Sequence, residues 1–266
     1  MVTEVENKNS ILETLDLSVG YRKKRSLLTL ASGINLRVKK GELVALIGQN
    51  GIGKSTLLKT ISGLQPALTG SILLEGKDRN QLSDRELARK ISVVLTGQPF
   101  SKNLSVEELV ALGRQPYTNW LGSFGPQDRE ATFRALDLVN IRNLSQRKCY
   151  ELSDGQLQKV LIARALGQDT PIMVLDEPTS HLDLYHKAQV LQLLTGLTKK
   201  TKKTILLATH ELTLALQLCD RLVVMKEAKV YCGSPEELIA TGIFRTLFPD
   251  DLISFDPMDK SFRIKS

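Results

Sequence analysis

Residues 48–56 read Gly48-Gln49-Asn50-Gly51-Ile52-Gly53-Lys54-Ser55-Thr56, and they directly follow the apolar run Leu43–Ile47. The run predicts a buried strand, and Lys54–Ser62 predicts a helix that ends at Gly63. In this order of strand, loop and helix, glycines let backbone N–H groups converge on phosphate oxygens, and the helix adds its positive N-terminal end. The stretch therefore predicts a nucleoside triphosphate site in an α/β fold.

Three side chains of this loop carry the expected chemistry. Lys54 supplies a mobile cation for the phosphates, and Ser55 has the hydroxyl expected to bind Mg²⁺. Thr56 can contact the α-phosphate side of the nucleotide. By itself the loop fits kinases, GTPases, helicases and transport motors, because all of them need backbone amides and one lysine around phosphates.

Two further apolar strands end in polar side chains. Ile172–Leu175 is followed by Asp176 and Glu177, and Thr204–Ala208 leads to His210. Ligands of open parallel sheets bind at the carboxyl ends of strands, so we expect three strand ends to converge on one crevice. There Asp176 is expected to reach the metal through water, Glu177 to polarise the attacking water, and His210 to hold that water at the γ-phosphate.

The stretch Leu152-Ser153-Asp154-Gly155-Gln156 has the form of a helix start. Ser153 is a good N-cap residue, and apolar residues follow at helical spacing at Leu157, Val160 and Leu161. Such a helix end can receive an anionic phosphate. Alone the stretch predicts only a capped helix. In a chain that also contains a phosphate loop, it is highly specific for one large class of nucleotide-using machines.

The organisation of the chain indicates a single α/β unit of 266 residues, without a linker, low-complexity tract or repeat. We expect one domain, 1–266, whose α/β core comprises 1–96 and 169–266. Residues 97–168 are expected to form an inserted, mainly helical subdomain. Its amphipathic helices are predicted at Val106–Leu112, Asp128–Val139 and Gln156–Leu166.

Composition excludes several classes of protein. The first ten residues are polar and charged, so no secretory signal is expected, and the longest apolar runs are far below the roughly 20 residues that span a bilayer. The balance of 36 basic against 29 acidic residues gives a formal charge of +7. Its short basic runs lack the aromatic interleaving of a nucleic-acid site, so no nucleic-acid partner is expected. The cysteines, Cys149, Cys219 and Cys232, have no metal-ligand spacing and indicate ordinary thiols in a reducing cytoplasm.

With these motifs in order, the chain resembles the ATP-binding-cassette (ABC) ATPases from about Ile11 to Leu247. In this resemblance 48–56 is the Walker A motif, Ile172–Glu177 is Walker B, and Leu152–Gln156 is the signature. The resemblance implies a P-loop NTPase (RecA-like) core with a mainly parallel sheet, an N-terminal antiparallel β subdomain and an inserted helical subdomain.

The resemblance also assigns residues outside these three motifs. Tyr21 stands at the position of the aromatic residue that stacks on adenine, and Gln98 at that of the Q-loop glutamine, which contacts Mg²⁺ indirectly. Ser180-His181-Leu182-Asp183 matches the D-loop, with Asp183 beside the nucleotide, and His210 is the switch histidine. The implied cofactors are ATP and Mg²⁺.

The resemblance implies a head-to-tail dimer of two copies of the chain. ATP on the Walker A motif of one copy is then covered by Ser153, Gly155 and Gln156 of the other, and hydrolysis lets the dimer open. Other implied partners are transmembrane permease subunits and, indirectly, a substrate-binding protein. The implied location is cytoplasmic, peripheral on the inner face of the membrane.

Two positions depart from the family pattern. Asp154 replaces the first of two glycines in the signature and adds a negative charge near a phosphate-binding helix end, so we expect its side chain to point away. The Q-loop lacks the usual proline before its glutamine, and depending on register Gly97 or Gln98 takes the glutamine's place.

Closer matches narrow the function. Leu104–Arg114 with Pro116-Tyr117, and Glu177–Leu184, resemble the corresponding stretches of importers of iron-siderophore complexes, haem and cobalamin. The resemblance therefore favours an ATP-hydrolysing subunit that powers such an importer. The alternative is a soluble ABC ATPase that acts in assembly or nucleic-acid processing.

Overall fold

The structure, a computed structural model, describes residues 10–23, 26–97, 99–118, 123–248 and 251–265. The strands of these residues are β1 (Ser10–Lys23), β2 (Ser26–Ile34), β3 (Arg37–Lys39), β4 (Leu43–Gly48), β5 (Thr69–Leu74), β6 (Lys77–Asp78), β7 (Ile91–Val94), β8 (Ile172–Asp176), β9 (Thr204–Ala208), β10 (Arg221–Lys226), β11 (Lys229–Gly233), β12 (Ile253–Asp256) and β13 (Ser261–Ile264). The helices are α1 (Lys54–Ile61), α2 (Asp84–Ala88), α3 (Val106–Ala111), α4 (Pro126–Leu138), α5 (Asp154–Gly167), α6 (Leu184–Thr201), α7 (Leu212–Leu218) and α8 (Pro235–Ala240).

The central sheet has the strand order β11-β10-β4-β9-β8-β7. All neighbours in it are parallel except β11, which pairs antiparallel with β10. Strands β4, β8 and β9 are buried along their whole length, as expected for parallel strands covered on both faces. The mainly parallel sheet is confirmed, and its order makes β4, β9 and β8 neighbours, so their carboxyl ends lie side by side.

A second, antiparallel sheet is formed by strands that lie before and after β4 in the chain. Its order is β2-β1-β5-β6, with β3 also paired to β1. Buried residues of β1 and β2 join one hydrophobic cluster with Leu57, Leu58 and Ile61 of α1 and with Val44 and Leu46 of β4. Helix α1 therefore packs between the two sheets, and the predicted N-terminal antiparallel β subdomain is present.

Between β7 and β8 the described chain is helical, with α5 packed against both α3 and α4. The three predicted amphipathic helices are confirmed, with small shifts at their ends. Helix α3 ends at Ala111 and continues as the 3-10 turn Leu112–Tyr117, and α4 begins earlier than predicted because Pro126 occupies its first turn after the cap Gly125.

The C-terminal hairpin of β12 and β13 packs through aromatic side chains. The ring of Phe262 lies 5.0 Å from that of Phe255 and 5.5 Å from that of Phe248, and Phe244 lies 5.1 Å from Phe255, centroid to centroid. Such spacings are typical of stabilising aromatic pairs. In the part that the structure describes, these rings pack the C-terminal hairpin against Phe244 and Phe248.

The three cysteines are free thiols. Cys149 and Cys219 are buried, and Cys232 is half-buried. Burial raises the pKa of the Cys219 thiol to about 12, and the nearby Asp220 charge acts in the same direction, so this group stays neutral and unreactive.

Across the described ranges, no helix combines the length and the apolarity that crossing a bilayer requires.

Candidate functional site

The phosphate loop links β4 to α1, in the predicted order of strand, loop and helix. Two of its glycines have no substitute. Gly48 has φ +151°, and a Cβ there would lie 2.5 Å from the carbonyl oxygen of Met225. Gly53 has φ +113° and is the N-cap residue of α1. Only glycine adopts these conformations readily, so both residues allow the backbone to close around the start of the helix.

Lys54 is almost fully buried, and its ammonium group folds back over the loop. Its Nζ donates hydrogen bonds to the carbonyl oxygens of Gly48, at 2.9 Å, and Gln49, at 3.1 Å. Burial lowers the pKa of Lys54, whereas the carboxylates of Glu177 and Asp176 act in the opposite direction. The cation is thus held on the inner side of the loop, where phosphate oxygens would arrive.

Ser55 and Asp176 meet at the adjoining strand end. The Ser55 hydroxyl donates to Asp176 Oδ1 at 2.8 Å. Burial raises the pKa of Asp176 and the nearby Glu177 charge acts in the same direction, against the hydrogen bond from Ser55. A hydroxyl and a carboxylate side by side supply the hard oxygen donors that Mg²⁺ prefers, so these two residues fit a magnesium ion.

The chain turns sharply at Glu177, the residue after β8. Glu177 has φ +49°, and its backbone N–H donates to the carbonyl oxygen of Ala208, the last residue of β9, at 3.0 Å. A non-glycine residue in this region stores strain. The turn brings the side chains of Asp176 and Glu177, which would alternate in a continued strand, into the lining of one cavity of about 390 Å³. We call it the strand-end cavity.

His210 completes this group from the neighbouring strand. Its Nε2 lies 2.6 Å from Glu177 Oε1, within hydrogen-bond distance. Asp176, Glu177 and His210 thus come from the carboxyl ends of β8 and β9, and Ser55 comes from the first turn of α1, after β4. The structure brings these predicted residues together as expected.

Tyr21 lies on β1, beside the N-terminal end of α1. Its hydroxyl and Thr56 Oγ1 are 2.9 Å apart, and its side chain is 45% exposed. In the register of β1 and β2, Tyr21 pairs with Leu28, which is also exposed. An exposed ring next to the phosphate loop is suitably placed to stack on a base.

The remaining loop residues face outward or toward the C-terminal segment. Asn50 and Gly51 are exposed and Ile52 is half-buried. The Gln49 amide donates to the carbonyl oxygen of Leu247 at 3.2 Å. The loop therefore also contacts the segment that precedes the C-terminal hairpin, a contact for which the sequence carries no local signal.

The signature begins α5 with a reciprocal cap. Ser153 Oγ accepts from the backbone N–H of Gln156 at 3.3 Å, and Gln156 Oε1 accepts from that of Ser153 at 3.1 Å. Gly155 is buried, whereas Asp154 is exposed and lines the strand-end cavity of its own chain. Within the described ranges, no hydrogen bond or ion pair joins the signature to 48–56.

The D-loop caps the next helix. Asp183 accepts a hydrogen bond from the backbone N–H of His186 at 2.8 Å, and its Oδ1 lies 2.9 Å from His186 Nδ1. These hydrogen bonds lower the pKa of Asp183. The His186 ring also abuts Gly155, since a Cβ on Gly155 would lie 2.9 Å from His186 Cδ2. The sequence assigns His186 no role, and nothing in its local pattern indicates this contact.

The Q-loop is described only in part. Gln98 lies outside the described residues, so its predicted role is not located. Gly97 has φ +72° and lines the strand-end cavity. The hydroxyl of Thr96 donates to the carbonyl oxygen of Asp176, which ties the segment after β7 to the end of β8. Thr96 was not predicted as a site residue.

The chain is similar to known proteins along most of its length. A model of the ABC transporter family matches residues 31–180. The chain is 38% identical over 240 residues to the "Probable siderophore transport system ATP-binding protein YusV" of Bacillus subtilis (strain 168), covering 90% of this chain and 86% of that protein. It is 34% identical over 241 residues to the "Iron(3+)-hydroxamate import ATP-binding protein FhuC" of the same organism, covering 90% and 88%.

A solved structure gives the same result in three dimensions. The ATP-binding cassette MJ0796, a dimer in a post-hydrolysis state bound to ADP and Pi, is similar with a TM-score of 0.71 and 28% identity. The match covers 84% of this chain and 98% of that one. The family match spans more than half of the chain and includes the phosphate loop, the signature and β8. The chain therefore belongs to the ABC transporter family, as an ATP-binding subunit that hydrolyses ATP.

Proposed function

We propose that this chain powers an importer for an iron-siderophore complex or a related chelate such as haem or cobalamin. The observation that carries the ATPase part is the convergence of Ser55, Asp176, Glu177 and His210 at neighbouring strand ends. The names of the two Bacillus subtilis relatives, one a siderophore and one an iron(3+)-hydroxamate system, support the substrate class.

We assign the ATP phosphates to the loop at 48–56, where Lys54 exchanges its two carbonyl partners for phosphate oxygens. Mg²⁺, held by Ser55 directly and by Asp176 through water, would neutralise charge on the phosphates when bound. Glu177 polarises the attacking water as general base, and His210 holds that base and contacts the γ-phosphate. Gln98 of the Q-loop adds an indirect contact to the metal, whereas a register that puts Gly97 in the glutamine's place leaves Mg²⁺ with one indirect contact fewer.

The complete site requires two copies of the chain. Tyr21 stacks on the adenine of its own ATP, whereas Ser153, Gly155 and Gln156 cover the ATP of the partner copy, and Asp183 lies beside it. Two observations support this: the signature makes no described hydrogen bond to its own phosphate loop, and the similar cassette MJ0796 is a dimer. The positive N-terminal end of α5 suits an incoming phosphate.

The remaining partners follow from the importer role. Transmembrane permease subunits anchor the dimer at the inner face of the membrane, and a substrate-binding protein delivers the chelate to the permease. The chain at 1–266 forms one functional unit, with an α/β core at 1–96 and 169–266 and a helical subdomain at 97–168. The cargo is selected by the permease and the binding protein.

The Glu177→Gln variant tests the ATPase dimer. It removes the general base but keeps the side-chain size, so the variant binds ATP, stops turnover and accumulates as a dimer on size-exclusion chromatography. Lys54→Ala is the control, because it removes the phosphate contact and stays monomeric with ATP. A Glu177→Gln chain that remains monomeric at saturating ATP and Mg²⁺ overturns the dimer proposal.

Uptake measurements test the substrate class. Deleting the gene in its host abolishes uptake of radioactive iron from a ferric hydroxamate or catecholate, or uptake of haem or cobalamin, and a plasmid copy restores it. A plasmid copy with Glu177→Gln does not. Undiminished uptake of all four substrates in the deletion strain contradicts the proposed cargo.

A further inference from the structure

His186 joins two elements that are far apart in the sequence. On one side its backbone N–H and its Nδ1 both contact the Asp183 carboxylate, with Nδ1 2.9 Å from each carboxylate oxygen. On the other side its ring occupies the space that a side chain on Gly155 would need. The D-loop and the start of the signature helix are therefore connected through one imidazole.

The D-loop and the signature of one copy contact the same nucleotide. In the dimer of the proposed function, on which this inference rests, Asp183 and the signature of one copy both contact the ATP held by the other copy. We propose that His186 is a positioning residue that keeps these two elements in fixed register, so that they reach the partner's ATP together.

The contacts have the geometry that this role requires. The Asp183 carboxylate fixes the imidazole through Nδ1, so the ring has a defined orientation. The approach to Gly155 is close enough to exclude a methyl group, so a shift of the ring toward Gly155 displaces the start of α5. Tyr185 adds an edge-to-face contact to the imidazole, with centroids 5.6 Å apart.

Capping of α6 does not require the His186 side chain. The bond from the His186 backbone N–H to Asp183 caps α6 whatever side chain residue 186 carries. Only the side chain touches Gly155. The positioning role therefore predicts an effect of side-chain changes on dimer formation that exceeds any effect on stability.

The test measures the ATP concentration for half-maximal dimerisation in the Glu177→Gln background. His186→Ala raises this concentration about tenfold, a coupling of ordinary size for linked sites. His186→Asn keeps an amide donor for Asp183 but withdraws the ring from Gly155, and it behaves like His186→Ala. Full dimerisation of His186→Asn at the parent ATP concentration indicates a cap only and overturns the inference.

A double-mutant cycle isolates the contact itself. Gly155→Ala clashes with the imidazole, and it also alters the direct contact of the signature with ATP. In the His186→Ala background this clash is absent. The factor by which Gly155→Ala raises the half-maximal ATP concentration is therefore about tenfold smaller there than in the chain that keeps His186. Strict additivity of the two penalties overturns the inference.

Controls separate this inference from the function beneath it. The monomer's affinity for a fluorescent ATP analogue and the thermal unfolding temperature stay unchanged in His186→Ala, and Gln192→Ala, an exposed change further along α6, has no effect on dimerisation. If Glu177→Gln itself fails to dimerise, the proposed function fails and takes this inference with it. If Glu177→Gln dimerises and His186→Ala matches it, only this inference fails.

Discussion

Glu177 Oε1 and His210 Nε2 lie 2.6 Å apart, although the two residues follow different strands of the central sheet. Each residue is positioned by a backbone hydrogen bond at the carboxyl end of β9: Glu177 donates to Ala208, and Thr209, next to His210, donates to Leu46 of β4. The central sheet therefore positions both Glu177 and His210. The geometry of this pair fixes the carboxylate that we assign as general base.

Removing the imidazole tests this relationship. His210→Ala lowers the ATP turnover number at least about 100-fold, the usual contribution of a positioned acid-base partner, because the Glu177 carboxylate loses its anchor. ATP affinity stays within about threefold, since His210 makes only one of many phosphate contacts. Steady-state kinetics and equilibrium binding check both values. Glu211→Gln is the control, because that carboxylate pairs with Lys187 instead, and equal losses in both variants would contradict the assignment.

The strained backbone at Glu177 predicts a difference in stability between two variants that are both inactive. Glycine adopts φ +49° without the penalty of a Cβ, so Glu177→Gly is more stable than Glu177→Ala by about 1 kcal/mol. Both variants lack the general base and lose turnover. Urea unfolding of the two nucleotide-free variants measures the difference. A Glu177→Gly chain less stable than Glu177→Ala would show that the turn is not strained.

The Tyr21 hydroxyl and its ring have separable roles. Tyr21→Ala weakens ATP binding about tenfold, since stacking of a base on an aromatic ring contributes about 1–3 kcal/mol. Tyr21→Phe keeps the ring and loses only the contact with Thr56, so its ATP affinity remains close to that of the parent chain. Titration with a fluorescent ATP analogue distinguishes the variants. Equal loss in both would assign the binding energy to the hydroxyl.

Arg114 predicts a large stability effect away from the site. Its Nε lies 3.0 Å from Asp128 Oδ1 and its Nη1 donates to the carbonyl oxygen of Gly167 at 2.8 Å, so one buried guanidinium joins the turn after α3 to α4 and α5. Arg114→Ala leaves Asp128 without its cationic partner and lowers the free energy of unfolding by about 3 kcal/mol. Arg134→Ala, which breaks an exposed pair with Glu130, changes it by less than about 1 kcal/mol.

The ion pair of Arg114 and Asp128 makes the stability of the fold depend on pH. Burial alone would raise the pKa of Asp128, but the hydrogen bond from Gly125 and the Arg114 guanidinium outweigh it, so the pKa lies below its ordinary value. A depressed carboxyl pKa stabilises the fold fully above the unfolded value of about 3.9, and this contribution is lost as the pH falls through the lower, folded value. The stability difference between the parent chain and Asp128→Asn is therefore constant near neutral pH and shrinks below about pH 4. Urea unfolding across pH 3 to 7 checks it.

Local chemistry accounts for the parts of the site that the sequence predicted. The strand before the phosphate loop and the strand before Asp176 are continuous apolar runs, and the cap at Ser153 needs only residues 153–156. Each of these features depends on neighbours within one turn or one strand. For the same reason the helix bounds came within a few residues of those observed.

Long-range packing decided the rest. The sequence places Glu177 and His210 at two strand ends, but their bond exists only because β8 and β9 are neighbours and the chain turns at Glu177. The contacts of Tyr21 with Thr56 and of Thr96 with Asp176 join segments whose separation in the chain hides them. No periodicity reports such a contact, because each partner alone has an ordinary local pattern.

The sequence by itself thus determined that this chain binds nucleotide in an α/β cassette, since a phosphate loop is built from consecutive residues whose conformations and charges are intrinsic to them. Only the tertiary structure decided that His186 lies between Asp183 and Gly155. The physical reason is that such a contact depends on how α6 and α5 pack against the same sheet. Packing of that kind is a property of the whole core, so no single stretch of residues encodes it.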